Sequence, residues 1–294
     1  MAGTIQYEIR HVSRYEYASP ARECVMLLCL KPLENADQHL VRFEIETRPP
    51  GSLSSETDPF GNTRHVLSVH PEHESLEITA RSTVIPASSG PLPSDLGADA
   101  WKEIDAWREA FLHWDYSHPS AMAYPSPALA DFTRKNGIAR GNDPLSDLIQ
   151  LADKLHSVFQ YTPGSTSAVS PIEEILRSGQ GVCQDYAHVM IAIARTWGVP
   201  ARYVSGYLYV SGSPDGQAWS NASHAWVECL LPELGWVGFD PTNRSPADDR
   251  HVRIATGRDY LDVSPTRGVR QGGGETRLEV DVRMRPLTDL QFCP

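Results

Sequence analysis

The chain has 294 residues, of which 40% are hydrophobic and 21% are charged, a balance typical of folded globular proteins and not of disordered ones. A chain of this length usually forms about two domains. Its 26 basic and 37 acidic residues give a formal net charge of −11. This charge disfavours contact with nucleic acids and with anionic membrane surfaces, so we expect neither as a partner.

Cysteines are few and irregularly spaced, at positions 24, 29, 183, 229 and 293. An odd number without regular spacing does not form a disulfide framework and is typical of a reducing compartment. The start of the chain lacks the apolar segment of a secretory signal, so we predict a cytoplasmic location. Cys24 and Cys29 have no second ligand pair at zinc-site spacing, and we therefore predict no metal site.

Strand patterns occupy the first ninety residues. Apolar and polar residues alternate around Ile5, Tyr7 and Ile9, and again within residues 41–45. Proline and glycine in the sequences RPPGS and DPFGN indicate reverse turns between such segments. We predict an antiparallel β-sandwich-like domain over residues 1–90.

A linker and helices follow over residues 91–144. Proline, glycine and serine are frequent in residues 84–99, which is typical of a linker. Apolar residues at three- and four-residue spacing then predict a helix over residues 101–114, through Trp101, Ile104, Trp107, Phe111 and Leu112. A second helix is predicted over residues 144–159, with Asp143 as its N-terminal cap. Its apolar face comprises Leu145, Leu148, Ile149, Ala152 and Leu155.

The segment SGQGVCQDYAHVMIAIARTWGVP predicts a helix that begins at Cys183. A helix N-terminus favours an anion, so the reactive thiolate form of Cys183 is stabilised there. Gly179 and Gly181 leave space for a substrate carbonyl, and the backbone N–H of Cys183 can face an oxyanion. The alternative is that this cysteine is merely a small buried hydrophobe.

A thiolate enzyme needs a base and a group that orients the base. In SHAWVECLL, His224 begins a predicted strand, and WVGFDPTN forms a second strand that ends at Asp240. The two ends meet across an antiparallel hairpin. Residues 224 and 240 would be opposite only if the hairpin centred on position 232, whereas the turn sequence PELG centres later, so we expect a bulge or a loose turn to absorb the shift.

With these residues in place, the chain resembles the bacterial transglutaminase-like cysteine proteases, whose core belongs to the transglutaminase superfamily. The matching stretches are PGSTSAVSPIEEILRSGQGVCQDYAHVMIAIARTWGVPARYVSGYL, ASHAWVECLLPELGWVGFDPTN and RDYLDVSPTRGVRQGGGE. The sequences YEYASPA and DPFGN resemble the N-terminal domain that accompanies this core. The resemblance implies an α+β fold, in which a papain-like core over residues 145–245 packs a helix carrying the cysteine on an antiparallel sheet. It also implies a triad of Cys183, His224 and Asp240.

The implied reaction is acyl transfer from an amide of a peptide or protein, without a metal or cofactor. Tyr161 and Gln180 are candidates for the second oxyanion donor. Aromatic residues near the triad, Trp226 and Trp236 beside Tyr207 and Tyr209, could contact substrate or line a tunnel for an amine. We expect hydrolysis, as by a protease or amidase, with a cross-linking protein-glutamine γ-glutamyltransferase and a non-catalytic interaction module as the alternatives.

The C-terminal extension, residues 246–294, ends in an alternating strand. Leu278, Val280 and Val282 alternate with charged residues there. We predict that this strand joins one of the sheets, and the pattern does not decide which.

Overall fold

A computed structural model describes residues 5–87, 90–97, 99–107, 111–210, 218–220 and 223–287. Its strands are β1 (Gln6–Leu28), β2 (Gln38–Arg48), β3 (Ser52–Thr57), β4 (Thr63–Val69), β5 (His73–Pro86), β6 (Gln160–Tyr161), β7 (Gln180–Gly181), β8 (Ala201–Leu208), β9 (Ala218–Ser220), β10 (His224–Leu231), β11 (Gly235–Asp240), β12 (Ser245–Pro246), β13 (His251–Gly257), β14 (Thr266–Gly272) and β15 (Thr276–Leu287). Its helices are α1 (Ala100–Trp107), α2 (Trp114–Ser117), α3 (Pro127–Lys135), α4 (Pro144–Val158), α5 (Ile172–Ser178), α6 (Cys183–Thr196) and α7 (Tyr260–Val263). Within the described ranges, no helix is both long and apolar enough to cross a membrane.

The N-terminal domain is an eight-stranded antiparallel sheet organised around β1. The first half of this 23-residue strand pairs with β5 and β15, and its second half pairs with β4 and β14. The register shifts between Glu16 and Ala21, where β1 passes from one set of partners to the other. The predicted C-terminal strand therefore belongs to the N-terminal sheet, because β15 pairs with β1 over twelve residues, from Gln6–Leu287 to Tyr17–Thr276.

The core domain has a five-stranded antiparallel sheet in the order β12-β11-β10-β8-β13. Helix α6 packs on β10 and β8, and α4 packs on α6. Every residue of α6 from Asp185 to Arg195 is buried. The sequence predicted one apolar face for this helix, but it is covered on all sides and forms the centre of the core. The predicted α+β architecture, with the cysteine-bearing helix on an antiparallel sheet, is confirmed.

The helical predictions differ in accuracy. The side chain of Asp143 accepts a hydrogen bond from the backbone N–H of Ser146 at 2.8 Å, so the predicted cap of α4 is confirmed. The helix predicted over residues 101–114 is wrong at residues 111–113, and residues 108–110 lie outside the described residues. Phe111 and Leu112 lie in a 3₁₀ turn and are 92% and 82% exposed, because α1 has already ended and no core lies over them.

The two domains pack through an apolar cluster. Tyr7, Ile9 and Val84 of the first sheet contact Tyr207, Val252 and Ile254 of the second, with Val282 and Met284 of β15 alongside. A buried hydrogen bond of 2.7 Å between His11 and the hydroxyl of Tyr207 crosses the same interface. Burial lowers the pKa of His11 to about 4, so the ring is neutral at physiological pH and is tolerated among apolar neighbours.

Two side-chain amides of the N-terminal domain cover the free edge of β13. Gln38 donates to the carbonyl of Arg253 at 2.7 Å and accepts from its N–H at 2.9 Å. Asn62 makes the same pair of bonds to Thr256, both at 2.8 Å. An edge strand otherwise presents unpaired backbone groups, so these amides act as a substitute for a further strand.

We expect Asn62→Leu to destabilise the protein by about 3 kcal/mol, because it leaves the buried N–H and carbonyl of Thr256 without partners. The urea midpoint of unfolding measures the loss. Gln150→Leu, on the exposed surface of α4, is the control and should shift the midpoint little. An unchanged midpoint for Asn62→Leu would show that the edge contact adds nothing to stability.

Candidate active site

Cys183 is the first residue of α6 and is partly exposed, whereas Cys24, Cys29 and Cys229 are buried. The carboxylate of Asp185 accepts a hydrogen bond from the N–H of Val182 at 2.8 Å and another from the hydroxyl of Thr166 at 2.6 Å. These bonds fix the chain on both sides of the cysteine. The sulfur thus lies at the positive end of a rigid helix, where an anion is favoured.

Each of the two glycines before Cys183 has a conformational or packing role. Gly179 ends α5 with φ of +71°, a conformation that glycine adopts without steric cost. A Cβ on Gly181 would lie 2.5 Å from the side chain of Ile175 and 3.0 Å from that of Asp185. A larger residue at position 181 would therefore have to displace the Ile175 and Asp185 side chains.

His224 and Asp240 meet diagonally across the β10–β11 hairpin. Residues 231 and 235 are paired, as are 227 and 239, so the hairpin centres on position 233 and Asp240 comes opposite Trp226. The two strands pair without a bulge, so residues 224 and 240 are not opposite each other. The expectation that a bulge or a loose turn would bring them opposite was wrong. Both side chains lie on the same face of the sheet, and the imidazole spans the diagonal, with Nε2 2.7 Å from Asp240 Oδ2.

Asp240 is fully buried and accepts five hydrogen bonds. Oδ1 accepts from the N–H groups of Thr242 and Asn243 at 3.0 and 3.1 Å. Oδ2 lies 2.7 Å from both His224 Nε2 and the side-chain amide of Asn243, and 3.2 Å from His251 Nε2. Burial alone would raise the pKa of Asp240, but these hydrogen bonds hold it far below its usual range. The carboxylate is therefore ionised and acts only as an acceptor.

The ionised carboxylate determines the state of His224. Burial alone would lower the pKa of this histidine, but hydrogen bonds with Asp240 and Cys183 outweigh it and raise that pKa to about 10. Because Nε2 donates to Asp240, Nδ1 is the nitrogen available to the thiol. The pair stabilises the fold fully below the unfolded value of 6.5, and this stabilisation is lost as the pH rises towards about 10.

His251 is part of this site, and the sequence did not reveal it. It begins β13, and its only signal was a polar residue at the start of an otherwise buried strand. Among the described residues, His224, Asp240 and His251 form the one group whose ligand atoms could hold a metal, all within 4.8 Å of one another. Both histidines already hydrogen-bond to Asp240 Oδ2, so protons satisfy these atoms without an ion.

The three other predicted site residues are Tyr161, Gln180 and Trp226, and they differ in their exposure to solvent. Tyr161 and Gln180 lie on the short parallel ladder of β6 and β7, in which Tyr161 pairs with Gly181, two residues before Cys183. Tyr161 is half-exposed, and Gln180 is exposed beside it. Trp226, by contrast, is fully buried, so its ring cannot form part of an exposed substrate surface. It packs beside His224 and against the edge of His251.

Comparison with known proteins agrees with this architecture. Residues 132–241 match the Transglutaminase-like superfamily, and residues 7–85 match the Bacterial transglutaminase-like N-terminal region. The uncharacterised protein ML0607 of Mycobacterium leprae is 30% identical over 278 residues, which cover 94% of this chain and 97% of that protein. This chain belongs to the bacterial transglutaminase-like family. A second family relative, Rv2569c of Mycobacterium tuberculosis, is 30% identical over 298 residues.

A solved structure shares the fold of the whole chain. The crystal structure of a candidate cysteine protease from Cytophaga hutchinsonii matches it with a TM-score of 0.73 at 20% identity. The match covers 100% of this chain and 94% of that one. At this identity the likeness establishes the fold, and both domains of the family are therefore seen together in an experimental structure.

Cys183 should react with iodoacetamide near neutral pH much faster than the other described cysteines, because it alone among them is partly exposed. Burial also raises the pKa of Cys24 and raises that of Cys29 to about 12. The order in which the cysteines are labelled is measured by treating the protein with limiting iodoacetamide and analysing its peptides by mass spectrometry. Cys293 lies outside the described residues and serves as an internal comparison. Preferential labelling of Cys24, Cys29 or Cys229 would contradict the assignment of Cys183 as the reactive thiol.

Asp240→Asn should leave the fold intact and lower kcat by roughly 10² to 10⁴, as the loss of the orienting carboxylate does in triads. An amide removes the charge and can present an N–H to Nε2, which favours the wrong tautomer. The pKa of His224 should fall from about 10, because burial then dominates. NMR titration of the ring and kcat measure the two effects. Asp153→Asn, at an exposed ion pair with Arg244, is the control.

Proposed function

We propose that this protein is a thiol-dependent acyl-transfer enzyme that hydrolyses amide bonds of peptides or proteins. The observation that carries the proposal is the hydrogen-bonded line from Cys183 through His224 to the buried, ionised Asp240. Such a line supplies a nucleophile, a base and an orienting group in contact with one another. Its position at the start of a rigid, buried helix keeps that geometry fixed.

In the proposed reaction, Nδ1 of His224 already holds the proton from the Cys183 thiol, in keeping with the raised pKa of this histidine, and the thiolate sulfur forms a bond to the amide carbonyl carbon as the carbonyl oxygen becomes an oxyanion. The imidazolium then gives that proton to the leaving nitrogen as the C–N bond breaks, which leaves a thioester. A water molecule attacks the thioester while His224 takes its proton. The C–S bond then breaks and the acid leaves, and the proton stays on His224 beside the thiolate, which restores the enzyme.

Several donors are available to the oxyanion. The backbone N–H of Cys183 belongs to the first turn of α6 and has no partner within the helix. Burial raises the pKa of Tyr161, and the nearby charges of Cys183 and Asp240 act in the same direction. The phenol therefore keeps its proton at neutral pH, so the Tyr161 hydroxyl, like the side-chain amide of Gln180, can donate a hydrogen bond to the oxyanion.

The choice between water and an amine depends on the surroundings of the thioester. An amine competes with water only where an apolar passage holds it close and dry. Four rings were candidates for such a passage, and each has another role. Trp226 is buried, Tyr207 bonds to His11, Tyr209 packs on Tyr7, and Trp236 packs under Arg202. This supports hydrolysis.

The second candidate is transfer to an amine. A protein-glutamine γ-glutamyltransferase from Pseudomonas aeruginosa is 37% identical to this chain over 92 residues. That match covers 30% of this chain and 14% of the other protein, so it concerns part of the core alone. A purely non-catalytic role is disfavoured because the cysteine, histidine and aspartate are all present and in contact.

Incubation with a glutamine-rich protein and excess dansylcadaverine should give cleavage or release of ammonia, with little incorporation of the dye. The reason is the access of water to a thioester that no described aromatic tunnel shields. Gel fluorescence, ammonia release and mass spectrometry separate the outcomes. Cys183→Ser is the matched control and should abolish every product. Efficient dye incorporation that requires Cys183 would instead identify a cross-linking transglutaminase.

A further inference from the structure

His251 contacts the triad carboxylate from the interior of the protein. Its ring is 1% exposed, and Nε2 lies 3.2 Å from Asp240 Oδ2. On its other side, Nδ1 lies 3.1 Å from the backbone nitrogen of Asp248 and 3.0 Å from the Oδ1 atom of that residue. The edge of the ring packs on Trp226, with ring centroids 5.1 Å apart. The imidazole therefore has defined partners on both nitrogens and no freedom to turn.

The charge on Asp240 determines the role of each ring nitrogen. An ionised carboxylate only accepts hydrogen bonds, so Nε2 of His251 must carry a proton. Nδ1 then accepts from the N–H of Asp248 in the neutral ring, or donates to the Asp248 carboxylate in the charged ring. In both cases His251 donates to the same oxygen that accepts from His224.

We propose that His251 is a positioning residue that holds Asp240 in the orientation in which it orients His224. This inference rests on the proposed function of the triad, and it adds a fourth side chain to the three that the sequence indicated. His251 does not touch the reacting atoms. It acts through Oδ2, to which His251 donates from the interior of the protein while the Asn243 amide and His224 donate to the same oxygen.

The N-terminal domain fixes the position of His251. The amide of Gln38 is 1% exposed and bonds to both backbone groups of Arg253, two residues after His251. The N–H of Leu33 also donates to the carbonyl of Arg253, at 3.1 Å. On the other edge of β13, His251 pairs with Leu208 of β8. The start of β13 is therefore fixed from both sides and cannot move away from Asp240.

The charged groups around the ring are consistent with this role. Asp240 and His224 face it from β11 and β10, and Asp248 faces it from the preceding turn. Arg250 forms an ion pair with Asp248 at 2.7 Å, so the two carboxylates that contact His251 are each balanced by other donors. The ring bridges the buried carboxylate of Asp240 and the carboxylate of Asp248, whose side chain is 40% exposed.

The test compares His251→Leu, His251→Gln and His251→Asn in the full chain. Leucine removes the donor, and asparagine is too short for its amide to reach Asp240. Glutamine can place an N–H near the position of Nε2. We expect His251→Leu and His251→Asn to lower kcat by about 10- to 100-fold with little change in KM, because the lost hydrogen bond is to a charged group. His251→Gln should recover most of the loss.

Two measurements need no substrate and separate this inference from the proposed function. The pKa of the His224 ring, measured by NMR titration, should fall in the leucine and asparagine variants and return towards the wild-type value in the glutamine variant. The rate of Cys183 alkylation at pH 7 should follow the same order. His11→Leu, which removes another buried histidine with two side-chain partners, is the control for general destabilisation and should leave both readouts unchanged.

The outcomes are distinct. If the wild-type protein cleaves no amide but the titration and the alkylation rate respond as expected, the proposed function fails and the role of His251 stands. If all three variants match wild type in both readouts, the positioning role is wrong whatever the enzyme does. If His251→Leu does not fold, the comparison of asparagine with glutamine decides, since equal values for those two variants would also overturn the proposal.

Discussion

The site depends on keeping one carboxylate charged in a place without water. Moving a carboxylate into a protein interior costs several kcal/mol unless hydrogen bonds replace its hydration. Asp240 receives five such bonds, from the turn that follows it and from two histidines on different strands. Because that charge is maintained, the neighbouring imidazole remains protonated and oriented. The order of β11, β10 and β13 around the carboxylate is therefore the arrangement that the rest of the core must preserve.

The relation between the domains follows from the same requirement. Strand β13 is the outer strand of the core sheet and begins with a histidine that contacts the carboxylate. Two amide side chains of the N-terminal domain close its free edge, and an apolar cluster joins the two sheets beside it. The N-terminal domain thus holds the strand on which His251 lies.

Local patterns in the sequence were sufficient to predict the elements that carry Cys183, His224 and Asp240. The period of α6, the cap at Asp143 and the alternation in β10 and β11 depend on neighbours within a few residues. His251 could not be found in this way, because its importance comes from a contact with Asp240 through tertiary structure. The strand that pairs with β15 could not be predicted from local patterns either, since β15 pairs with β1 across more than 250 residues of chain. The predicted register of the β10–β11 hairpin was wrong for a different reason. It assumed that His224 and Asp240 must be directly opposite, whereas the long histidine side chain reaches the carboxylate diagonally.

The pairing of β1 with β15 has a consequence during synthesis. A ribosome releases the first strand long before the last, so the N-terminal sheet cannot complete its hydrogen bonding until nearly the whole chain has emerged. During that interval β1 can pair with β4 and β5 only, and the edge that β14 and β15 will occupy is open to other nascent chains. Contacts at such large sequence separation also make folding slow. The edge of β1 that β14 and β15 cover is therefore the last part of the N-terminal sheet to be closed as the chain is synthesised.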